Sequence, residues 1–497
     1  MPDYTADVRQ TLKHMNVLFV ASECAPFVKT GGLADVIGAV PKALASKGIN
    51  VKVMLPAYPA LAYLLAEGES VLDIPDLFGA GAQLVAVSAE GLDLLLLNAP
   101  HLYDRPGNIY VNEQQQDWAD NHLRFGALSM IGARVAAQGV GNWTPDVVNA
   151  HDWQAGLLPA YLKQEEQQLS RAMPPVVMTV HNIAFQGLFD QQNLDPLLLS
   201  PSLFTPDGIE YFGQIGFLKA GLALADKITT VSPTYARELL SPEFGMGLEG
   251  LLRARSNDLT GILNGIDTDV WNPATDPNLI APYSIDDMSG KRINRNAVES
   301  KFGLESRTDA PLFCVVSRLT EQKGLDLLLS CLPTLVNSGA RLALLGSGEK
   351  AIEQAFLDTA KQYPGYISVT IGYDEGLSHL MQGGSDAILI PSRFEPCGLT
   401  QLYGLRYGTI PVVARTGGLA DTVIDANEAA LVNECATGFQ FSPVTAQSLD
   451  ATISQVCAVY KNKAAWDTLI KQAMQQTVDW NNSATAYLSL YQQVSVR

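Results

Sequence analysis

No run of eighteen apolar residues, the length a membrane span needs, occurs in this 497-residue chain. Apolar stretches such as 92–98 (LDLLLLN) and 387–392 (AILIPS) are strand-sized. The opening residues, MPDYTADVRQTLKH, contain no apolar segment of the kind a secretory leader carries. Cysteine is sparse: Cys24, Cys314, Cys331, Cys397, Cys435 and Cys457 are scattered, with no CxxC, which argues against a disulfide framework and for free thiols in a reducing compartment. The six histidines form no HExxH or similar cluster, so no protein-held metal is expected. Positive charge is also scarce. Thirty-three basic residues against 51 acidic ones leave a net charge of −18, a surface that repels nucleic acid and anionic membrane. The expectation is a cytoplasmic protein, with a plastid stroma as the alternative, and with neither nucleic-acid nor membrane partners. A small anionic ligand remains open to it, because a few cations gathered in one place reverse the local field.

What is present is a globular composition, 47% hydrophobic, in a chain too long for one ordinary core. Short apolar runs alternate with helical stretches: 16–21, 51–56, 92–98, 146–150, 176–182 and 228–233, then 313–319, 341–348, 367–373, 386–392, 409–414 and 438–443. Runs apolar throughout predict parallel strands covered by helices on both faces. The pattern pauses over about 265–310, where the stretch 266–287 is rich in Asp, Asn and Pro and carries no clear periodicity. The reading is α/β with two Rossmann-like domains, 15–264 and 265–477, a tail at 1–14, and a helix within 478–497. Ligands of such sheets bind beyond the carboxyl ends of the strands, so the loops there carry the argument.

After 16–21, Lys29 supplies a cation, Gly31 and Gly32 permit a tight turn, and a helix begins near Leu33 with its positive end available to phosphate. Asp35 either caps that helix or accepts a sugar or ribose hydroxyl. The segment is not GxGxxG, which weighs against a nicotinamide oxidoreductase. After 313–317, Arg318 and Lys323 flank a short loop ending in Gly324. A diphosphate would suit them, by forked contacts to arginine and a point charge from lysine; the alternative is a surface basic pair matched to Glu321. After 386–391 comes FEPCGLT (394–400), where Gly398 is expected to open a helix and Glu395 lies just ahead of it. That carboxylate either binds sugar hydroxyls and stabilises charge at an anomeric carbon, or merely favours the helix end. Asp152 is a hydroxyl acceptor, Trp153 packs a sugar ring or fills core, and His181 is a donor or a structural histidine. Asn264 ends the last apolar run of the first domain. Tyr373 stacks on a base or lies in the wall. TGGLAD occurs twice, at 30–35 and 416–421, which suggests one loop chemistry used on both sides of a cleft.

Taken together, KTGGLADV (29–36), HDWQAG (151–156), HNIAFQG (181–187), LNGID (263–267), SRLTEQKG (317–324), IGYDE (371–375), PSRFEPCGLTQLYGLRYG (391–408) and TGGLADTV (416–423) resemble bacterial glycogen synthases and plastid starch synthases over about 15–495. The resemblance implies the glycosyltransferase B fold, two facing Rossmann-like domains with an interdomain cleft, and a C-terminal helix over 478–497 that crosses back to the first domain. It implies retaining transfer of glucose from ADP-glucose to the non-reducing 4-hydroxyl of an α-1,4-glucan, without a cofactor. Carried over by motif, Lys29 and Gly32 lie by the donor sugar and phosphates. Arg318 and Lys323 clamp the diphosphate, Tyr373 stacks near adenine, and Thr400 binds phosphate near Leu399. Asp152, His181 and Glu395 surround the transferred glucose; Asp35, Asn264, Cys397 and Gly398 complete the binding set. Another retaining hexosyltransferase of the same fold, using a UDP- or GDP-sugar, is the nearest rival, and a non-catalytic glucan-binding module a more distant one.

Overall fold

Each apolar run expected to form a strand does so in the computed structural model, which describes residues 15–495; the tail expected over 1–14 lies outside the described residues. The chain forms two units. One comprises the residues up to Val231, Ala236–Ile262 and the stretch from Trp480; the other comprises Leu263–Asp479 with the tetrapeptide Ser232–Tyr235.

The first unit carries β1 (Asn16–Val20), β2 (Asn50–Pro56), β3 (Glu69–Ile74), β4 (Ala82–Ala89), β5 (Leu92–Asn98), β6 (Val147–His151), β7 (Val176–Val180), β8 (Leu188–Asp190), β9 (Glu210–Tyr211), β10 (Gln214–Gly216), β11 (Lys227–Thr230) and β12 (Leu259–Gly261). Nine of these form one sheet in the order β12-β11-β7-β6-β1-β2-β5-β4-β3, and β8-β10-β9 form a small second one. The large sheet is parallel from β12 to β5, but β4 runs antiparallel to both β5 and β3. The expectation of purely parallel sheets is thus corrected at this edge. A two-residue turn, Glu90–Gly91, joins β4 to β5 with both residues at positive φ, 51° and 73°, the geometry that suits strand twist in a tight hairpin. Glutamate in place of the usual Asn or Asp hid that turn from a sequence reading.

The second unit holds β13 (Leu312–Val316), β14 (Arg341–Gly346), β15 (Ile367–Ile371), β16 (Ala387–Ile390), β17 (Ile410–Ala414) and β18 (Phe439–Phe441), all parallel, in the order β15-β14-β13-β16-β17-β18. The strands change direction of addition between β13 and β16, so their carboxyl ends bring the loops 317–324 and 391–399 side by side, at the switch point where open α/β sheets bind ligands.

Two other readings change. Residues 265–310, where the strand–helix pattern pauses, contain a helix, Ser289–Phe302, that follows the aperiodic stretch 266–287. Its buried face includes Lys291, Asn294, Arg295 and Glu299, so apolar periodicity does not reveal it. Arg295 pairs with Asp386 at 2.6 Å and Glu299 at 3.1 Å, and Arg341 reaches the same Glu299 at 2.8 Å. Buried charges are tolerated there because each has a partner. Asn264, placed by sequence at the end of the first domain, belongs to the second unit. The helix Asn481–Ser495 lies in the first unit, where Tyr491 Oη donates to Asn149 Oδ1 of β6 at 2.6 Å.

Candidate active site

In the second unit, Gly324 has φ +68° and a Cβ there would collide with the carbonyl of Pro391. Only glycine lets the loop after β13 lie flat on the loop after β16. The two loops are then clasped. Arg393 N donates to Gln322 O at 2.9 Å, Arg393 Nη1 to Glu321 O at 2.6 Å, and its guanidinium forks onto Asp326 at 2.6 and 2.7 Å. The result is a narrow pocket lined by Ser317, Lys323, Ser392, Glu395, Gly398 and Thr400, among others. Inside it Lys323 Nζ meets Glu395 Oε2 at 2.5 Å, with the two side chains 18% and 12% exposed, and Ser392 Oγ donates to the same oxygen at 2.9 Å. Lys323 is therefore matched to Glu395 and not to the nearby Glu321. An ammonium has three donors and a carboxylate several acceptor positions. The pair thus leaves two N–H groups on Lys323, while Glu395 Oε1 takes no hydrogen bond among the described residues.

The helix beside this pair is Thr400–Tyr407, capped by Leu399; it starts at Thr400 and not at Gly398. Gly398, at φ +69°, makes the turn into it. First-turn amides such as those of Thr400 and Gln401 have no intrahelical acceptor and face outward with the positive end of the helix dipole. Cys397 does not share this role: its thiol is buried and pushed up to about 12 by burial, so it stays neutral. Arg318 is exposed, and its guanidinium makes no hydrogen bond or ion pair among the described residues, leaving the fork free. Tyr373 is 71% exposed after Gly372, which rules out the wall position. Its hydroxyl approaches Glu375 at 3.1 Å.

In the first unit, Glu23 organises the loop after β1. Its carboxylate accepts from Thr30 N and Thr30 Oγ1, each at 2.5 Å, from Gly31 N at 3.1 Å and from Tyr110 Oη at 2.5 Å. These bonds consume two of the amides that an anion would otherwise meet. The helix Gly32–Ala45 follows, with Gly31 and Gly32 in open space. Lys29 pairs with Asp35 at 2.7 Å and is half exposed. The second TGGLAD copy serves another purpose. A Cβ on Gly417 or Gly418 would strike the backbone of Glu395–Cys397, and Gly418 N donates to Pro396 O at 3.0 Å. Its Asp421 accepts from Thr234 N at 2.6 Å and Thr234 Oγ1 at 2.7 Å. One copy opens a loop and the other buttresses the Glu395 loop, so the shared chemistry expected from the repeat is not what the structure shows.

Beyond β6 and β7, Asp152 sits at φ +54°, a strained position for a residue with a Cβ. Its Oδ1 accepts from His181 N at 2.7 Å and Asn182 N at 3.4 Å. Burial pushes its carboxyl up to about 7 against the pull of those amides. Its Oδ2 takes no hydrogen bond among the described residues. His181 is held down to about 3 by burial, hence neutral at pH 7. Trp153 packs among Phe125, Phe189 and Phe217 and against Gly187, which makes it a filler of local core.

Sequence reasoning missed Glu23, His151, Ser392 and Arg393. Each adjoins a residue or motif that was singled out, and that adjacency was the one available signal. Among the described residues no three His, Cys, Asp or Glu side chains gather as metal ligands, all six cysteines are free, and no helix is long and apolar enough to cross a membrane.

Residues 16–254 match the family model of the starch synthase catalytic domain, and 297–472 that of group 1 glycosyl transferases. The chain is 62% identical over 477 residues to a glycogen synthase of Roseobacter denitrificans, covering 96% of this chain and 99% of that protein. It is 52% identical to one from Acidiphilium cryptum, covering 97% and 100%. Among solved structures, the catalytic domain of starch synthase IV from Arabidopsis thaliana, bound to ADP and acarbose, superposes with a TM-score of 0.85 at 31% identity, covering 97% of this chain and 100% of that one. Sucrose-phosphate synthase from Thermosynechococcus elongatus, 15% identical with a TM-score of 0.57 over 96% of this chain and 98% of that one, shares the fold. With two Rossmann-like units, a glycine-shaped pocket at a switch point and near-complete alignment to these proteins, the chain belongs to the glycogen synthase family of B-fold glycosyltransferases.

Proposed function

We propose that this chain transfers glucose from ADP-glucose to the non-reducing 4-hydroxyl of an α-1,4-glucan, retaining the α configuration and releasing ADP. The observation that carries the reading is the Lys323–Glu395–Ser392 cluster beside the first turn of Thr400–Tyr407. Two unspent N–H groups of Lys323, the free fork of Arg318 and the helix-end amides, with Gly398, Leu399 and Thr400 shaping the approach, are suited to a diphosphate whose negative charge grows as its bond to C1 breaks. Glu395 Oε1 is the acceptor for a glucose hydroxyl and the counter-charge for a ring with oxocarbenium character. In balance, the C1–O(phosphate) bond breaks, C1 bonds to the acceptor O4 from the same face, and the hydroxyl proton passes to the leaving phosphate. Tyr373, solvent-exposed after Gly372, is the side chain proposed to stack on adenine. From the first unit the proposal takes Lys29 and Gly32 for phosphate and sugar, Asp35 for a hydroxyl, and Asp152 Oδ2 and neutral His181 for hydroxyls of the glucose.

Support for the substrate pair comes from the names of the relatives and from the ADP and acarbose held by the Arabidopsis protein. ADP-glucose is a substrate, and the charge of its diphosphate is met by protein cations, so no cofactor is proposed. The reaction is assigned to the cytosol, where six free thiols persist. The deciding experiment supplies labelled ADP-glucose or UDP-glucose with a short maltooligosaccharide and identifies the new linkage. Chain extension through α-1,4 bonds, faster from the ADP donor, is expected. Sugar-nucleotide hydrolysis without extension, or a UDP preference, would overturn the reading.

A further inference from the structure

The end of β6 places a second histidine against His181. His151 is fully buried, and its Nδ1 lies 3.0 Å from His181 Nε2, with ring centroids 5.3 Å apart. Burial keeps both rings neutral. One proton therefore sits between them, and two arrangements are open. In the first, His151 Nδ1–H donates to His181 Nε2. In the second, His181 Nε2–H donates to His151 Nδ1. They differ at the far nitrogen of His151, Nε2, which is buried with no hydrogen-bond partner among the described residues. The second arrangement would put a proton there and strand a buried N–H, which folded proteins avoid more strictly than an under-used acceptor. The first leaves only a lone pair at that place.

We propose that His151 is a positioning residue that sets the tautomer of His181, forcing the proton onto His181 Nδ1 so that this ring meets the substrate as a hydrogen-bond donor and never as an acceptor. Resting on the assignment of His181 to a glucose hydroxyl, the inference goes further by giving that contact a direction. Other neighbours fit it. His181 Nδ1 has no partner among the described residues, and the residue keeps 8% exposure where His151 keeps none. The backbone of His181 is pinned by Asp152 Oδ1, and Phe19 packs beside the His151 ring at 5.0 Å. Because His151 precedes Asp152 in the chain, one strand end sets both the direction of the His181 side chain and the position of its backbone.

The test uses the full chain labelled with 15N-histidine. A protonated-type shift at His181 Nδ1 and a lone-pair-type shift at Nε2 are expected across neutral pH; the reverse pattern would overturn the proposal. His151→Asn keeps a donor at the Nδ1 position, whereas His151→Leu fills the volume without one. His151→Leu is expected to lose about tenfold or more in kcat with donor KM within about threefold and to show mixed His181 tautomers, and His151→Asn to recover most of both. Equal loss in the two folded variants, or a His181 tautomer unchanged in His151→Leu, would overturn it. Where His151→Leu fails to fold, the wild-type spectrum and His151→Asn decide. His181→Ala separates the two ideas: near-normal turnover in that variant defeats the assignment of His181 to the sugar, while its inactivity combined with the reversed tautomer defeats only the role of His151.

Discussion

Lys323 and Glu395 share one oxygen–nitrogen contact of 2.5 Å, and each has bonding capacity left over. Removing the lysine deletes a cation where leaving-group charge develops. Lys323→Ala is expected to lower kcat/KM by about 10²-fold or more in glucose-transfer assays. Glu395→Ala is expected to abolish most turnover while donor affinity, read by calorimetry, changes little. Asp152 gives a prediction in pH. Its carboxyl titrates near 7 in the folded protein against an ordinary 3.8. Below about 3.8 both states hold the proton and the residue costs nothing. As pH rises toward 7 the unfolded chain releases its proton first, so folded stability falls, and above 7 the penalty is constant. Asp152→Asn, which cannot ionise, should therefore gain stability over the wild type between pH 4 and 7, by a few kcal/mol at most, in paired urea titrations. Stability surrendered at a strained, buried acid is the pattern of a residue kept for activity.

At the scale of elements, the site depends on two loops that follow adjacent strands. Arg393 ties them through Asp326 and Glu321, yet its ion pair is a third or more exposed and contributes little to global stability. Arg393→Ala is expected to shift the thermal midpoint by less than about 3 °C while lowering kcat about tenfold, because a loop displaced by a fraction of an ångström misaligns Lys323 and Glu395. A melt and a rate measurement on one preparation check both halves. The repeat of TGGLAD teaches the same lesson. Both copies follow a strand and start a helix, but Gly31 and Gly32 face open space and Gly417 and Gly418 are pressed on the backbone of Glu395–Cys397. Six identical residues specify the turn and helix start alike; what lies across from the glycines differs.

For the molecule as a whole, the return of the helix Asn481–Ser495 to the first unit joins it to the core built around β1 and β6. Tyr487, Leu490, Tyr491 and Val494 are buried, and Tyr491 completes a polar chain through Asn149, Thr179 and Thr229, linked at 2.6, 2.7 and 2.7 Å. Tyr491→Phe leaves Asn149 Oδ1 without its donor and is expected to cost about 1–3 kcal/mol in denaturant unfolding. A change below a few tenths would show that the helix end carries no such weight.

The strands that coincide with apolar runs were legible because that signal is local, whereas β3, β4, β8, β9, β10, β12 and the Glu90–Gly91 turn were not. A parallel strand covered on both faces is apolar at nearly every position, and β13 and β16 read that way directly. Glycines after strands, with a cation or an acid at hand, likewise marked the loops around Lys29, Lys323 and Glu395. The helix Ser289–Phe302 escaped because its buried face is charged and finds its partners on Asp386 and Arg341, far along the chain. The partner of Lys323 escaped for the same reason: Glu321 is two positions away, whereas Glu395 is 72 away and comes near only because β13 and β16 are neighbours in the sheet. His151 meets His181 because β6 pairs with β7 in a fixed register. Residue order settles which loops carry charge, since each loop is short and its chemistry is contiguous; sheet order alone settles which charges and protons face one another, since a parallel sheet sets strands side by side that the chain keeps tens of residues apart.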